Sequence, residues 1–332
     1  MANAADQTTY SLASFFAGVG GIDLGFEQTG RFHTTYANEV DPYPATTFNL
    51  NFDVACDVRD VREVRGSDIG DVDVVVGGFP CQAFSIEGKR EGFTDTKDRG
   101  NLFFELARIT DEVRPKAVMF ENVKNLVSHD HGDTLRVIEQ TIVDLGYTHS
   151  WRVLGAHEYG NVPQNRERIY IVGFADADAH AAFEFPEPVA RTVTIDDIVD
   201  RATRQDDTLY YRPGGRGDRL YQQLHEAVGE SGRNAVYQRR RGHVRTNRSG
   251  LVPTLTAAMG MGGHNVPIIV DDFGYRKLTV RECFAMQGFP NDFALPTGMA
   301  PGRLYKQSGN SVAVPVVRRI AANIAAALDA TA

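Results

Sequence analysis

Short apolar runs and helical repeats alternate through the first half of the chain. Ser11–Phe16 reads as a buried strand, and a glycine turn at Gly18, Gly20 and Gly21 leads into a helix reaching about Gln28. His33–Asn38 predicts a second strand, and Pro42 opens another helix, since proline is tolerated in a first turn. Val72–Val76 is almost continuously apolar, as expected of a strand covered on both faces. Leu102–Val113 has the spacing of an amphipathic helix, Ala117–Phe120 of a strand, Thr134–Leu145 of a helix and Ile169–Phe174 of a strand. Strands that alternate with helices pair in parallel, so the expected fold is α/β, a doubly wound, mostly parallel sheet.

The pattern changes near Phe185, where Pro186 and Pro188 interrupt it. From there to about Pro301 the chain is rich in Gly, Arg and Thr and only weakly periodic, which predicts a smaller, loop-rich domain. Ser311–Leu328 returns to helical spacing (Val314, Val317, Ile320, Ile324) and is expected to pack back on the large domain. The expected division is 1–184, 185–304 and 305–332.

A length of 332 residues with 42% hydrophobic content suits one large domain and one small one. No run of 18 apolar residues is present, so no membrane span is expected. Met1–Thr9 is small and polar, without the basic start of a signal peptide. The three cysteines, Cys56, Cys81 and Cys283, are far apart. That counts against a disulfide framework and a zinc site, and makes a reducing cytoplasm the expected setting. The net charge of −8 counts against nucleic acid as a partner unless basic groups are gathered locally. Such a gathering exists: Arg233, Arg239, Arg240, Arg241, Arg245 and Arg248 share one stretch with a histidine and no acid. A solvated basic loop would look the same.

Four segments could carry chemistry. Phe16-Ala17-Gly18-Val19-Gly20-Gly21 sits at a strand-to-helix turn, where glycines let a ligand approach the backbone. Glu39 ends the next strand, where acids commonly bind ribose hydroxyls, and Asp57 follows. The dinucleotide spacing is broken at Asp23, so a nucleoside fits better than a pyrophosphate; an ordinary tight turn is the plain alternative. Gly77-Gly78-Phe79-Pro80-Cys81-Gln82 follows a buried strand, which puts Cys81 at the mouth of a cleft and makes it a candidate nucleophile; a buried structural cysteine is the alternative. Glu121-Asn122-Val123 follows another strand, where a carboxyl in a dry cleft can act as an acid, or merely cap a helix. In an extended Gln164–Arg168, the side chains of Gln164, Arg166 and Arg168 point one way, towards a cleft or towards solvent.

In order and wording these segments resemble the DNA cytosine-C5 methyltransferase family. Arg281-Glu282-Cys283, Gln287-Gly288-Phe289-Pro290 and Gln307-Ser308-Gly309-Asn310-Ser311-Val312 extend the resemblance to the far end of the chain. It is strongest over 10–175 and 276–318 and weak over 185–250, where family members differ because that region reads the target. The resemblance implies a Rossmann-like class I fold and S-adenosylmethionine as methyl donor, giving S-adenosylhomocysteine, with no metal. It implies Cys81 as nucleophile on carbon 6 of a flipped-out cytosine, Glu121 at ring nitrogen 3 and Arg168 at the base carbonyl, with Arg166 the second candidate for that place. The cofactor would rest on Phe16, Gly18, Gly20, Gly21, Glu39, Asp57, Val58, Pro80, Leu102, Asn310 and Val312. Gln82, Ser85, Arg99, Arg240, Arg245, Thr254 and Leu255 would touch DNA, the small domain choosing the target.

Implied partners are double-stranded DNA and a cognate restriction endonuclease acting on the same site; a monomer without membrane association is expected. A tRNA-methylating branch shares this core, but resembles Pro-Pro-Cys where this chain has Phe79-Pro80-Cys81. A catalytically silent DNA-binding module would not need every chemical residue, and a nicotinamide oxidoreductase would need a different glycine spacing.

Overall fold

A computed structural model describes residues 8–80, 102–214, 218–240, 242–261 and 265–331. In chain order its strands and helices begin β1 (Tyr10–Phe15), α1 (Gly21–Glu27), β2 (Phe32–Asn38), α2 (Pro42–Phe48), β3 (Cys56–Asp57), α3 (Gly66–Ile69) and β4 (Val74–Gly77). Next come α4 (Leu102–Val113), β5 (Ala117–Val123), α5 (Asp133–Asp144), β6 (Thr148–Gly155), α6 (Ala156–Tyr159), β7 (Gln164–Asn165), β8 (Glu167–Phe174) and α7 (Ala177–Ala182). The remainder is β9 (Tyr210–Tyr211), α8 (Asp218–Ser231), β10 (Val236–Arg240), β11 (His243–Asn247), β12 (Val252–Pro253), β13 (Ile268–Asp271), β14 (Gly274–Lys277), α9 (Val280–Ala285), α10 (Pro301–Asn310) and α11 (Val314–Asp329). Two compact units divide the chain.

The first unit comprises Met1–Leu154, Glu167–Glu187 and Val316–Ala332. Its seven-stranded sheet has the order β3-β2-β1-β4-β5-β8-β6. Strands β1 to β5 pair in parallel, as their apolar runs require, and Val74, Val75 and Val76 are fully buried. β8 runs antiparallel to β5, so the sheet is mostly rather than wholly parallel, as expected. On one face, Leu106, Phe103 and Ile109 of α4 and Ile138 and Ile142 of α5 close the core against Val75, Val118 and Ile171.

The last helix belongs partly to this unit. A Cβ on Gly25 would lie 2.7 Å from Val317, so α1 and α11 meet where only glycine fits. Asp329 then accepts from Tyr10 Oη at 2.8 Å and pairs with Arg31 at 2.6 Å. The apolar stretch within Pro301–Asp329 is long enough to cross a membrane, yet 67% of its most apolar window is buried in the fold, like a core helix.

The second unit comprises Gly155–Arg166 and Pro188–Pro315. The structure thus moves 155–166 out of the large domain and sets the later boundaries at 187/188 and 315/316, where 184/185 and 304/305 were expected. The unit is also more regular than loop-rich. Five antiparallel strands run in the order β11-β10-β13-β14-β9, with α8 packed on Tyr237, Ile268 and Val244 through Leu224 and Leu220. Arg276 is fully buried here between Asp271 (2.9 Å) and Glu282 (2.7 Å), so its charge is matched on both sides.

Candidate active site

Sheet register determines what meets in the first unit. Phe15 lies opposite both Asn38 and Gly77, Asn38 opposite Asp57, and Gly77 opposite Phe120. The segments Phe16–Gly21, Glu39, Val58 and Gly78–Pro80 therefore leave the sheet along one edge, where Asp57 and Glu121 also lie. Strand order reverses between β1 and β4, and in open α/β sheets ligands bind in the crevice at such a point, beyond the carboxyl ends of the strands.

The turn after β1 is built to admit a ligand. Phe16, Gly18 and Gly20 take left-handed backbone angles (φ 53, 59 and 85°). A Cβ on Gly20 would lie 2.2 Å from the Phe52 ring, so the turn sits directly on the Phe48–Phe52 stack. Ala17 donates its N–H to the Asn38 carbonyl at 3.0 Å, tying the turn to β2. Glu39 accepts from the N–H groups of Gly18 (3.1 Å) and Asp41 (2.8 Å), one on each carboxylate oxygen. Each oxygen keeps a lone pair for a ligand hydroxyl. Burial pushes this carboxyl above its ordinary value, despite those two N–H donors.

Asp57 accepts from Tyr36 Oη at 2.7 Å and Arg59 Nε at 2.9 Å, and the guanidinium holds its carboxyl below the ordinary range. Val40, two residues past the end of β2, and Val58, next after β3, are 61% and 47% exposed. Two exposed valines beside two acids offer apolar faces next to hydrogen-bond acceptors, the combination that a nucleoside's base and ribose hydroxyls require. Leu102 packs against the core from the start of α4, and Pro80 is exposed. Asn310 and Val312 belong to the second unit, the first exposed and the second buried.

The turn after β4 carries the other half of the chemistry. A Cβ on Gly78 would lie 3.3 Å from Glu121 Oε2, so the carboxylate rests on the turn and any side chain there would crowd it. Asn122, buried, donates from Nδ2 to the Phe79 carbonyl at 2.9 Å and accepts the Val123 N–H at 2.8 Å. Phe79 also packs on Phe103, so the chain is pinned two residues before Cys81. Cys81 itself lies outside the described residues, as do Gln82, Ser85 and Arg99.

Glu121 and Arg168 are brought together. Antiparallel register sets Glu121 opposite Tyr170 and Val123 opposite Arg168, which makes Glu121 and Arg168 diagonal neighbours on one face. Arg168 Nε lies 3.0 Å from Glu121 Oε1, with the side chains 14% and 12% exposed. Arg168 Nη1 donates to its neighbour's carbonyl at Glu167. Nη2 is the remaining donor group.

Arg166 goes elsewhere, contrary to expectation. It belongs to the second unit, 3% exposed, and its guanidinium donates to the carbonyls of Leu255 (2.9 Å), Gly309 (3.4 Å) and Ser311. The expected one-sided extended run Gln164–Arg168 does not exist. The Arg166 N–H turns back to the Gln164 carbonyl, and Gln164 and Arg166 belong to the second unit while Arg168 belongs to the first. Gln164 is equally engaged: it accepts from Leu255 N–H and donates to the Met286 carbonyl and Gln287 Oε1. These buried polar groups clamp irregular backbone whose carbonyls would otherwise be unsatisfied.

Of the residues expected at DNA, Arg240 and Arg245 are exposed on the β10–β11 hairpin. Thr254 is half-buried and donates to the Asn165 carbonyl. Leu255 is corrected: its side chain is fully buried in the core with Val252, Met259 and Met286. The backbone there is packed so closely that a Cβ on Gly309 would lie 2.2 Å from the Thr256 carbonyl carbon.

A family model described as C-5 cytosine-specific DNA methylase matches residues 10–326. The chain belongs to this family. It is 50% identical to the Type II methyltransferase M.Bsp6I of Bacillus sp. (strain RFL6), over 94% of this chain and 98% of that protein. It is 38% identical to the Type II methyltransferase M.SsoII of Shigella sonnei, over 96% and 81%. A solved mutant of Spodoptera frugiperda DNMT2 shares the fold, with a TM-score of 0.72 at 17% identity, over 95% of this chain and 99% of that one.

Within this family member, the residue that sequence reasoning passed over is Asn122. Its position between Glu121 and a strand end was visible; that its amide would be spent on the Phe79 carbonyl was not. Gln164, read as facing a cleft or solvent, and Gln287, noted only for the resemblance, are likewise buried and bonded to backbone carbonyls.

Proposed function

We propose that this C-5 cytosine methylase methylates carbon 5 of a cytosine extruded from a specific duplex DNA sequence, with Cys81 as the covalent nucleophile, as the modification half of a restriction-modification system. The observation that supports this most is the Glu121–Arg168 pair resting on Gly78, in the turn that runs into Cys81. The thiolate of Cys81 adds to carbon 6, which makes carbon 5 electron-rich. Glu121 holds a proton or hydrogen bond at ring nitrogen 3, and Arg168 offers Nη2 to the base carbonyl. Asn122 keeps the nucleophile's turn in place. After methylation the carbon 5 proton is lost and the Cys81 bond breaks, restoring the ring and the thiolate. Extrusion of the base costs a few kcal/mol, which DNA contacts must offset.

S-adenosylmethionine, when bound, supplies a methyl carbon already activated by its sulfonium. The left-handed turn at Gly18 and Gly20, the two-oxygen acceptor at Glu39 and the exposed Val40 and Val58 fit its nucleoside part. Asp57 enters through its ion pair with Arg59, and Phe16, Gly21, Pro80, Leu102, Asn310 and Val312 complete the assigned set. The second unit is the target-recognition domain. The enzyme acts as a monomer in the bacterial cytoplasm, alongside an endonuclease that cuts the same unmethylated site.

The test is bisulfite sequencing of duplex DNA incubated with the purified protein and S-adenosylmethionine. Cytosine methylation at a single sequence context is expected, and Cys81→Ser should abolish turnover while cofactor binding persists. DNA with 5-fluorocytosine at the target should trap a covalent adduct, since fluorine blocks the last elimination. Methylation of transcribed tRNA with none of duplex DNA, or normal turnover by Cys81→Ser, would overturn the reading.

A further inference from the structure

In the β10–β11 hairpin the register sets Gln238 opposite Arg245 and Arg240 opposite His243. Side chains alternate along a strand, so Gln238, Arg240, His243 and Arg245 share one face while Arg239 lies on the other with Tyr237 and Val244. Arg240 and Arg245 are both exposed on that shared face, yet they are held very differently. Arg240 donates Nε to Gln238 Oε1 at 3.1 Å. Gln238 is only 4% exposed, and its Nε2 donates to the Asn265 carbonyl at 2.9 Å, which fixes the orientation of the amide. The guanidinium of Arg240 is therefore held through a buried support, and its two terminal nitrogens bond to none of the described residues. Arg245 has no such support among the described residues.

We propose that Arg240 is a base-reading residue, pairing bidentately with O6 and N7 of a guanine in the recognised sequence, that Gln238 is its positioning residue, and that Arg245 contacts phosphate only. A planar fork of two parallel donors matches the guanine edge, and prior orientation removes part of the entropic cost of binding. An unrestrained arginine gains most from the diffuse field of the backbone. This rests on the DNA reading above and goes beyond it by assigning roles to individual residues.

The experiment is methylation of a randomised duplex library by the wild type and by Arg240→Lys, Gln238→Ala and Arg245→Ala, read by sequencing, with binding measured at several salt concentrations. Arg240→Lys keeps the charge and loses the fork. It should lower methylation of the preferred site by about ten- to hundredfold and relax the preference at one G·C position. Gln238→Ala should relax the same position more weakly. Arg245→Ala should weaken binding evenly across sequences and reduce the salt slope by about one. Unchanged base preference in Arg240→Lys, or relaxation at one position by Arg245→Ala, would overturn this inference alone. No methylation by the wild type would overturn the DNA reading together with it.

Discussion

Asn122→Ala tests how the nucleophile is held. The wild-type amide satisfies the Phe79 carbonyl and the Val123 N–H, and both Asn122 (4% exposed) and Phe79 (3%) are out of solvent's reach. Val123 is half-buried, so its N–H regains water at small cost; the Phe79 carbonyl is left without this donor. One such loss costs roughly 1–3 kcal/mol. For a unit of this size that corresponds to a fall in Tm of roughly 2–10 °C. The kinetic effect should be larger than the thermal one suggests, because a misplacement of about 1 Å at a reacting group costs on the order of a hundredfold. The expected result is a kcat lowered by about ten- to hundredfold, with S-adenosylmethionine affinity nearly unchanged, since the turn after β1 is untouched. Asn122→Asp supplies the control that a merely structural role would not pass. Its ionised form sets an oxygen against the Phe79 carbonyl, and its protonated form restores a donor, so its kcat relative to wild type should rise as pH falls. Methyl-transfer kinetics and calorimetric titration of the cofactor read both quantities. A variant with wild-type kcat, or one that loses cofactor affinity in place of kcat, would refute the reasoning.

Gly20→Ala should weaken S-adenosylmethionine binding at least tenfold in the same titration, because the new Cβ would fall 2.2 Å from Phe52 at a φ of +85°; unchanged affinity would count against the turn as the cofactor cradle. Asp23, fully buried beside Ser14, has its carboxyl pushed up to about 7 by desolvation. The folded state then keeps a proton that the unfolded chain releases near pH 4, so this group's contribution to stability falls as pH rises from about 4 to 7. Asp23→Asn should therefore gain on the wild type between pH 5 and pH 8 in urea midpoints, and parallel curves would sink the argument. Arg276→Met leaves Asp271 and Glu282 buried without their cation, which should cost about 3–5 kcal/mol in denaturant unfolding.

The parallel strands were legible because burial on both faces leaves a mark that needs no partner: Val74–Gly77 reads as a strand from its own residues. β6 left no such mark. Trp151 and Arg152 are exposed and only its last two residues are buried, so Thr148–Gly155 has the composition of surface chain. In the second unit β7, β9 and β12 have only two residues each, too few for a period of two to show. The candidate site was legible as residue types at strand ends, the glycines after β1, Glu39 after β2 and Glu121 near the end of β5, while Cys81 lies outside the described residues. It was not legible where the same side chains serve the backbone. Gln164 and Arg166 lie beside Arg168 in sequence, but they donate to carbonyls of chain segments some 90 to 145 residues away, and that spacing leaves no local trace.

The same separation explains how a chain of net charge −8 can act on DNA. Of the basic run Arg233–Arg248, Arg233 is paired with Asp272 at 2.8 Å and Arg248 is bonded to Ser231 Oγ at 2.7 Å. Arg239 turns to the other face of the hairpin, and Arg241 lies outside the described residues. The run therefore offers Arg240 and Arg245, with His243, on one surface. Each neutralised phosphate contributes about −0.9 to the slope of log affinity against log salt. With Arg240 on a base and Arg245 on phosphate, this hairpin supplies only about one such step. On that assignment the hairpin's own hold on arbitrary DNA is weak, and the proposed Arg240 contact adds affinity only where the matching base is present.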